Sequence, residues 1–210
     1  MILNPADLDP QTRYRLLIGA IVPRPIAWVS SMNAAGQLNL APFSYFTIAA
    51  VQPMTLIFCP TIPVRSGEKK HTLRNVQEVP ECVINLTNED TAVAMNLSAT
   101  ELPYGDSEFE WAGVTPAPSI TVRVPRVLEA PVSFECRVQR IVTVSDAPGG
   151  GSAVFAEVQM LHIRDDLRAE DGRVRLEALR PIARLGGDSY ARVTDTFDLA
   201  RVPPPKRDTP

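Results

Sequence analysis

Residues 132–139, VSFECRVQ, alternate strictly between apolar and polar side chains. A period of two is typical of a β-strand with one buried face. The alternation returns in residues 154–160, where only Phe155 breaks it. Between the two stretches lies the glycine-rich segment 148–152, PGGGS, which predicts a long hairpin with a flexible tip.

Further short strands are predicted on the N-terminal side of this hairpin, at residues 26–31, 55–59 and 82–86. Helices are predicted over residues 68–78 and after the capping-box pattern of residues 87–90. Strands and helices do not alternate, which disfavours a parallel Rossmann sheet. The 20 prolines among 210 residues also favour short strands and turns. The pattern therefore predicts a mainly β fold with appended helices, an antiparallel barrel that is closed or partly open.

The composition is that of one globular domain, with 45% hydrophobic and 21% charged residues in 23.0 kDa. We expect a single domain over residues 1–200 and a proline-rich tail over residues 201–210. The net charge of -3 argues against a nucleic-acid partner and against an anionic membrane surface. The first ten residues carry Asp7 and Asp9 but no lysine or arginine, and no bilayer-length apolar stretch follows. We therefore expect a cytoplasmic protein.

Few side chains suited to acid–base or metal chemistry are present. The histidines are His71 and His162, and the cysteines, Cys59, Cys82 and Cys136, are widely spaced. These counts argue against a zinc site of the usual spacing and against a CxxC pair, so no metal site is expected. GxGxxG, Walker A and GxSxG motifs are absent. If the protein is an enzyme, a bound cofactor is expected to carry the chemistry, and we assign no catalytic side chain.

Three segments have compositions that are unusual for a plain core. Residues 23–31, PRPIAWVSS, place two hydroxyls at the end of a strand, and residues 39–46, NLAPFSYF, mix an amide, hydroxyls and aromatic rings. Residues 65–72, RSGEKKHT, gather cations and hydroxyls at a predicted helix N-terminus, where cations are unfavourable because of the helix dipole. A bound anion would resolve that conflict, since helix N-termini and hydroxyls both suit phosphate.

Together these segments resemble the flavin reductase-like family of FMN-binding split β-barrels, in the subgroup marked by PRPIAWVS, NLAPFS and a helix start of the form KDTLxN. The chain has PRPIAWVSS at 23–31, NLAPFSYF at 39–46 and KHTLRN at 70–75. The late segment 185–190, LGGDSY, is similar to the C-terminal signature of that family. One departure is His71, which stands where the family usually has aspartate and changes the local charge.

The resemblance implies an antiparallel, Greek-key split barrel that forms a homodimer, with one FMN per protomer near the dimer interface. The flavin ring would lie along the strand of residues 26–31, and the phosphate would be held near residues 66–72. The cofactor-binding residues that the resemblance implies are Arg24, Ile26, Ala27, Trp28, Val29, Ser30, Ser31, Asn39, Ala41, Pro42, Phe43, Ser44, Ser66, Lys69, Lys70, Thr72 and Tyr190.

The family resemblance and the shortage of acid–base side chains favour an NAD(P)H-dependent flavin reductase, in which NADH or NADPH gives hydride to the flavin N5. The reduced flavin would then leave or pass its electrons on, with a protein such as a monooxygenase as the electron acceptor. The main alternative is a flavoredoxin-like, non-catalytic electron carrier that binds FMN and is reduced by a protein partner. A third possibility is a barrel that has lost flavin and serves as a scaffold.

Overall fold

The computed structural model describes residues 1–202, so most of the proposed tail, residues 203–210, lies outside the described residues. Within this range the chain forms short helices and antiparallel strands. The helices are α1 (Pro10–Ala20), α2 (His71–Glu78), α3 (Ala92–Leu97), α4 (Glu108–Ala112) and α5 (Leu176–Leu179). The strands are β1 (Ala27–Met32), β2 (Leu38–Phe43), β3 (Phe46–Val51), β4 (Met54–Phe58), β5 (Glu81–Leu86), β6 (Pro116–Ala117), β7 (Arg126–Val127), β8 (Val132–Ser145), β9 (Gly151–Ile163), β10 (Ile182–Arg184) and β11 (Tyr190–Arg192).

A seven-stranded antiparallel sheet dominates the fold, in the order β2-β1-β5-β8-β9-β4-β3. Its longest pairing is the hairpin of β8 and β9, which runs from Val132 opposite Ile163 to Ser145 opposite Gly151. Three register shifts interrupt this ladder, and such bulges increase the local twist of a sheet. The predicted mainly β fold with appended helices and an antiparallel sheet is confirmed.

Strand β1 is buried on both faces, because side chains pack against each of them. Ala27 and Val29 belong to the core that fills the space between the sheet and α2, where they join Phe58. Trp28 points to the other face, into a second core that contains Met95 of α3 and Phe109 of α4. The indole Nε1 of Trp28 donates a hydrogen bond of 2.8 Å to Ser98 Oγ. This contact fixes the end of α3 relative to the centre of the sheet.

Two predicted helix starts differ from the observed ones. Helix α2 begins at His71 rather than at residue 68, because Gly67 adopts a left-handed φ of 68° and Lys70 is an extended N-cap. Helix α3 begins at Ala92, after a reciprocal pair in which Asn88 N–H donates to Thr91 Oγ1 and Thr91 N–H donates to Asn88 Oδ1. This reciprocal bond spans residues 88–91 instead of residues 87–90, and Thr91, the N-cap of α3, makes no side-chain capping bond to the helix.

None of the helices within residues 1–202 combines the length and the apolar character needed to cross a membrane.

Candidate functional site

A cleft of about 490 Å³ opens beside β2, a size that is ordinary for a small-molecule site. One wall is β2 itself, the second is the loop that leads into α2, and the third is the segment after α3. The residues lining it are Asn39, Ala41, Pro42, Phe43, Ser66, Glu68, Lys69, Lys70, His71, Ser98, Ala99, Thr100, Glu101, Leu102, Pro103 and Glu108. Two of the three unusual sequence segments therefore meet at one site.

A smaller cavity of about 170 Å³ lies next to this cleft. The two share Pro42, Phe43 and Lys70 in their linings, so they adjoin along the end of β2, and together they are called the groove. Arg24 and Ser44 line the smaller cavity. The groove thus combines main-chain and apolar surface at β2 with cations and hydroxyls at the start of α2.

Buried hydrogen bonds hold the β2 wall in place. Asn39 Nδ2 donates to Thr72 Oγ1 at 2.9 Å, and both side chains are buried. Glu108 of α4 accepts a hydrogen bond of 2.8 Å from the Leu40 N–H, and burial raises the pKa of this carboxyl. Strand β2 is therefore tied to α2 on one side and to α4 on the other.

Both lysines of the cleft are engaged with carboxylates. Lys69 Nζ lies 2.9 Å from Asp146 Oδ1, at the tip of the β8–β9 hairpin. Lys70 Nζ lies 2.5 Å from Glu101 Oε1, on the wall opposite α2. The hydrogen bond from Lys70 lowers the pKa of Glu101, which is therefore ionised at neutral pH.

His71 begins α2 and makes an edge-to-face contact with the Tyr104 ring, with centroids 5.0 Å apart. The guanidinium of Arg74 lies 3.8 Å from the centroid of the same ring. Burial, followed by the nearby charges of Arg74 and Lys70, lowers the pKa of His71. The imidazole is consequently neutral at neutral pH, so this position contributes neither the negative charge of an aspartate nor a positive one.

Arg24 has its guanidinium directed at main-chain oxygens. It donates to Ile18 O at 2.8 Å, to Ile21 O and to Leu185 O at 2.9 Å, and a longer bond of 3.4 Å reaches Ser44 Oγ. The side chain is buried. Arg24 therefore joins the end of α1 and the turn after β10 to the start of the sheet, with only its edge at the smaller cavity.

The predicted residues of β1 lie behind the cleft wall. Ala27, Trp28, Val29, Ser30 and Ser31 have no exposed surface, and the neighbouring Ile26 is also buried. Ser30 Oγ donates to Pro125 O at 2.6 Å, and Ser31 Oγ accepts from Asn75 Nδ2 at 3.1 Å. The two hydroxyls are thus used inside the protein, and their direct contact with a flavin stays a prediction.

Two further predicted residues do not line the groove. Thr72 is buried beneath it, bonded to Asn39. Tyr190 lies on β11 and lines a separate cavity, where its hydroxyl donates to Asn96 Oδ1 at 3.2 Å. The guanidinium of Arg184, which also lines the smaller cavity of the groove, lies 4.5 Å from the Tyr190 ring centroid. Tyr190 is therefore connected to the groove through Arg184.

Several cleft residues were not identified from the sequence. They are the carboxylates Glu68, Glu101 and Glu108 and the segment of residues 98–103. The polar segment 98–108, SATELPYGDSE, separates the apolar residues of α3 from those of α4. This change of composition is the one feature of the sequence that could have indicated these cleft residues. It does not show which of its carboxylates faces the cleft, because that depends on packing against β2.

A sequence-family model described as "Flavin reductase like domain" matches residues 19–178. The matched range includes all three segments that form or support the groove. It ends before β10 and β11, so Tyr190 lies beyond it.

Three solved structures are similar over nearly the whole chain. Nitrilotriacetate monooxygenase component B from Bacillus cereus is 36% identical, with 95% of this chain and 98% of that chain covered and a TM-score of 0.90. The 2-nitrobenzoate 2-nitroreductase of Pseudomonas fluorescens is 33% identical, with 96% of each chain covered and a TM-score of 0.85.

The third structure, a flavin reductase with a split barrel domain from Shewanella frigidimarina, is 20% identical. It covers 97% of this chain and 98% of that chain, with a TM-score of 0.79. At this identity the similarity concerns the fold alone, and it confirms the predicted split barrel.

Proposed function

The chain belongs to the flavin reductase like domain family, and on that premise we propose that it binds FMN in the groove beside β2 and reduces it with NADH or NADPH. One observation supports the proposal most strongly. The apolar surface of β2 and the cations and hydroxyls at the start of α2 line the same cleft of about 490 Å³.

The residues of the groove fit the two ends of such a ligand. Ser66 and Lys70 offer a hydroxyl and an ammonium for a phosphate, and Lys69 stands beside them. Ala41 and Phe43 offer apolar surface, with the main chain of β2 between them, for a planar ring. In this arrangement the proposed phosphate end lies at the α2 start and the proposed ring end lies along β2.

The free energies of the expected contacts favour a binding site that contacts both the phosphate and the ring of FMN. An FMN phosphate carries about -1.5 to -2 charges, and each charge-assisted hydrogen bond contributes about 1.5–3 kcal/mol. Association itself costs about 4–15 kcal/mol, so two or three phosphate contacts scarcely balance that cost. Tight binding therefore also requires burial of the ring against β2, at about 25 cal/mol for each Å² of apolar surface.

The chemical step needs little from the side chains. When bound, a flavin supplies a hydride acceptor, which no side chain of a protein can provide. The groove residues would hold the two reactants in register and exclude water, and Glu108 and Asn39 would keep β2 rigid for that purpose. No proton-transfer residue is assigned.

We also propose a homodimer and an electron acceptor outside the chain. The similarity to a protein named as component B of a monooxygenase supports an acceptor that is a partner protein. The similarity to a nitroreductase supports direct reduction of a small organic molecule as the second arrangement.

The proposal is tested by loading the purified protein with FMN, removing oxygen and adding NADH or NADPH while flavin absorbance is followed. Prompt bleaching, faster than in a protein-free control with the same FMN, is the expected result. Stable FMN binding without bleaching by either dinucleotide would contradict the reductase and favour the electron carrier. Failure to bind FMN would contradict both and favour the scaffold.

A further inference from the structure

An ion pair joins two walls of the cleft. Lys70 immediately precedes α2, and Glu101 lies on the facing segment after α3, yet their charged atoms are 2.5 Å apart. The two side chains are 33% and 65% exposed, so the pair is accessible to an entering ligand. Glu101 is therefore the present partner of the ammonium that the proposed function assigns to phosphate.

The rest of the cleft does not offset this competition. Lys69, the other lysine of the cleft, is paired with Asp146, and His71 is neutral at neutral pH. Glu68 and Glu108 add two further carboxyl groups to the lining. An anion entering the cleft thus meets ammonium groups that are already paired with carboxylates, and it competes with one of those carboxylates.

We propose that Glu101 is a specificity-determining residue that competes with the phosphate of the flavin for Lys70, an inference that rests on the proposed function. Its carboxylate weakens the binding of FMN relative to riboflavin, which has no phosphate.

The physical basis is that two anions share one ammonium. Lys70 has three donors, so a carboxylate and a phosphate could both reach it, but their mutual repulsion opposes simultaneous binding. An exposed ion pair contributes little free energy. The contributions measured for such pairs correspond to about a 1.4-fold to fivefold change in an equilibrium constant. The competition is therefore expected to tune affinity within that range without abolishing binding.

The test is to titrate FMN and riboflavin into the wild-type protein and into Glu101→Gln, following flavin fluorescence. We expect Glu101→Gln to bind FMN about 1.4-fold to fivefold more tightly, with riboflavin affinity unchanged. The matched control is Glu68→Gln, which removes the same charge from the same cleft but lacks an ion pair with Lys70 among the described residues. It should change the FMN-to-riboflavin ratio less than Glu101→Gln does.

A double-mutant cycle with Lys70→Met separates direct competition from a general charge effect. In the Lys70→Met background, Glu101→Gln should leave the FMN-to-riboflavin ratio unchanged. Salt should weaken FMN binding more steeply in Glu101→Gln than in the wild type, because a new ion pair then forms without the loss of an old one.

The inference is overturned if Glu101→Gln shifts FMN and riboflavin equally, or if its effect persists in the Lys70→Met background. Either result leaves the proposed flavin site standing. A wild-type protein that binds neither flavin would overturn the proposed function, and this inference with it, so the two failures are distinguishable.

Discussion

Glu135, near the start of β8, is a carboxylate with no exposed side-chain surface. It accepts hydrogen bonds from Ile120 N–H at 2.7 Å, and from the N–H and hydroxyl of Thr121 at 2.6 Å each. His162 Nε2 of β9 lies 2.6 Å away. Burial alone would raise the pKa of Glu135, but the hydrogen bonds from Thr121, His162 and the amides lower it to about 2. One side chain thus joins the loop around residue 120 to the central hairpin.

This arrangement predicts how stability depends on pH. Because the pKa of Glu135 falls from an ordinary value of 4.5 to about 2 on folding, the ionised group stabilises the protein above pH 4.5. That contribution is lost as the pH falls from 4.5 towards 2. We expect Glu135→Gln to lower the free energy of unfolding by about 1.5–3 kcal/mol at pH 7.

The measurement is urea denaturation of wild type and Glu135→Gln at pH 7, 4 and 3. The difference between the two proteins should shrink as the pH falls, since the wild type loses what the variant already lacks. Glu170→Gln, at an exposed position, is the control and should change stability little at any of these pH values. A Glu135→Gln deficit that stays constant from pH 7 to pH 3 would contradict the assignment.

At the scale of single residues, the sequence indicates which types of side chain line the groove better than it indicates where each side chain lies. Asn39, residues 41–43 and Lys70 line it as the motif spacing suggests. Ser30 and Ser31 also looked like ligand-binding hydroxyls, but each is bonded inside the protein, to Pro125 O and by Asn75. These partners are 95 and 44 residues away along the chain, respectively, and local sequence does not specify such contacts.

At the scale of elements, α1 is a helix with a weak apolar pattern that is held in place by a side chain outside it. Asp9 caps its N-terminus and Pro10 occupies its first position, but Ile18 is its one buried residue. A helix with so narrow an apolar face gains little from packing. Its attachment depends on Arg24, which places a cation against the carbonyl oxygens of its last turn.

We therefore expect Arg24→Met to loosen α1 and the turn after β10 while the sheet remains folded. The variant leaves buried carbonyl oxygens without a donor, at a cost of about 1–3 kcal/mol. Hydrogen exchange should accelerate in peptides that cover residues 17–21 and 184–190, and the exchange of β8 should change least. Arg15→Met, at an exposed position on the same helix, is the control and should alter neither region. Uniform acceleration across the sheet would contradict a local role for Arg24.

The elements that sequence predicted best are those with a strict period. The β8–β9 hairpin follows the alternation of residues 132–139 and 154–160, because one face of each strand packs on the core. Helix α1 was missed because its apolar pattern is weak, and β3 because most of its residues are exposed. Helix α2 was placed too early, since the sequence does not reveal the left-handed conformation of Gly67.

At the scale of the whole molecule, the groove exists because distant segments are brought together by the order of strands in the sheet. Strand β1 pairs with β2 nearby in sequence and with β5 further along, and this places α2 and the segment after α3 beside β2. The sequence predicts several of the strands but not their order in the sheet, because the β4–β9 and β5–β8 pairings are non-local. The prediction that these distant segments form one site came from the family resemblance, which rests on short motifs.

The edge of the sheet at β3 is the surface on which the proposed homodimer can be tested. Within residues 1–202, strand β3 pairs with β4 on one side only, so its other edge presents main-chain groups that have no strand partner in that range. Ile48 and Val51 on this strand are 69% and 80% exposed, which is unfavourable for apolar side chains of a monomer in water. A second copy of the chain would cover both features.

We expect sedimentation of the wild type to give twice the 23.0 kDa mass of one chain. Ile48→Lys together with Val51→Lys should shift the protein to 23.0 kDa, because two desolvated charges at the edge oppose association. Val93→Lys is the control, since Val93 is 74% exposed on α3, away from this edge, and should leave the dimer intact. A wild-type monomer would contradict the homodimer itself, whereas a dimer that survives both lysines would move the interface to another face. Comparing FMN affinity in the monomeric variant with the wild type then shows whether the groove needs the second subunit.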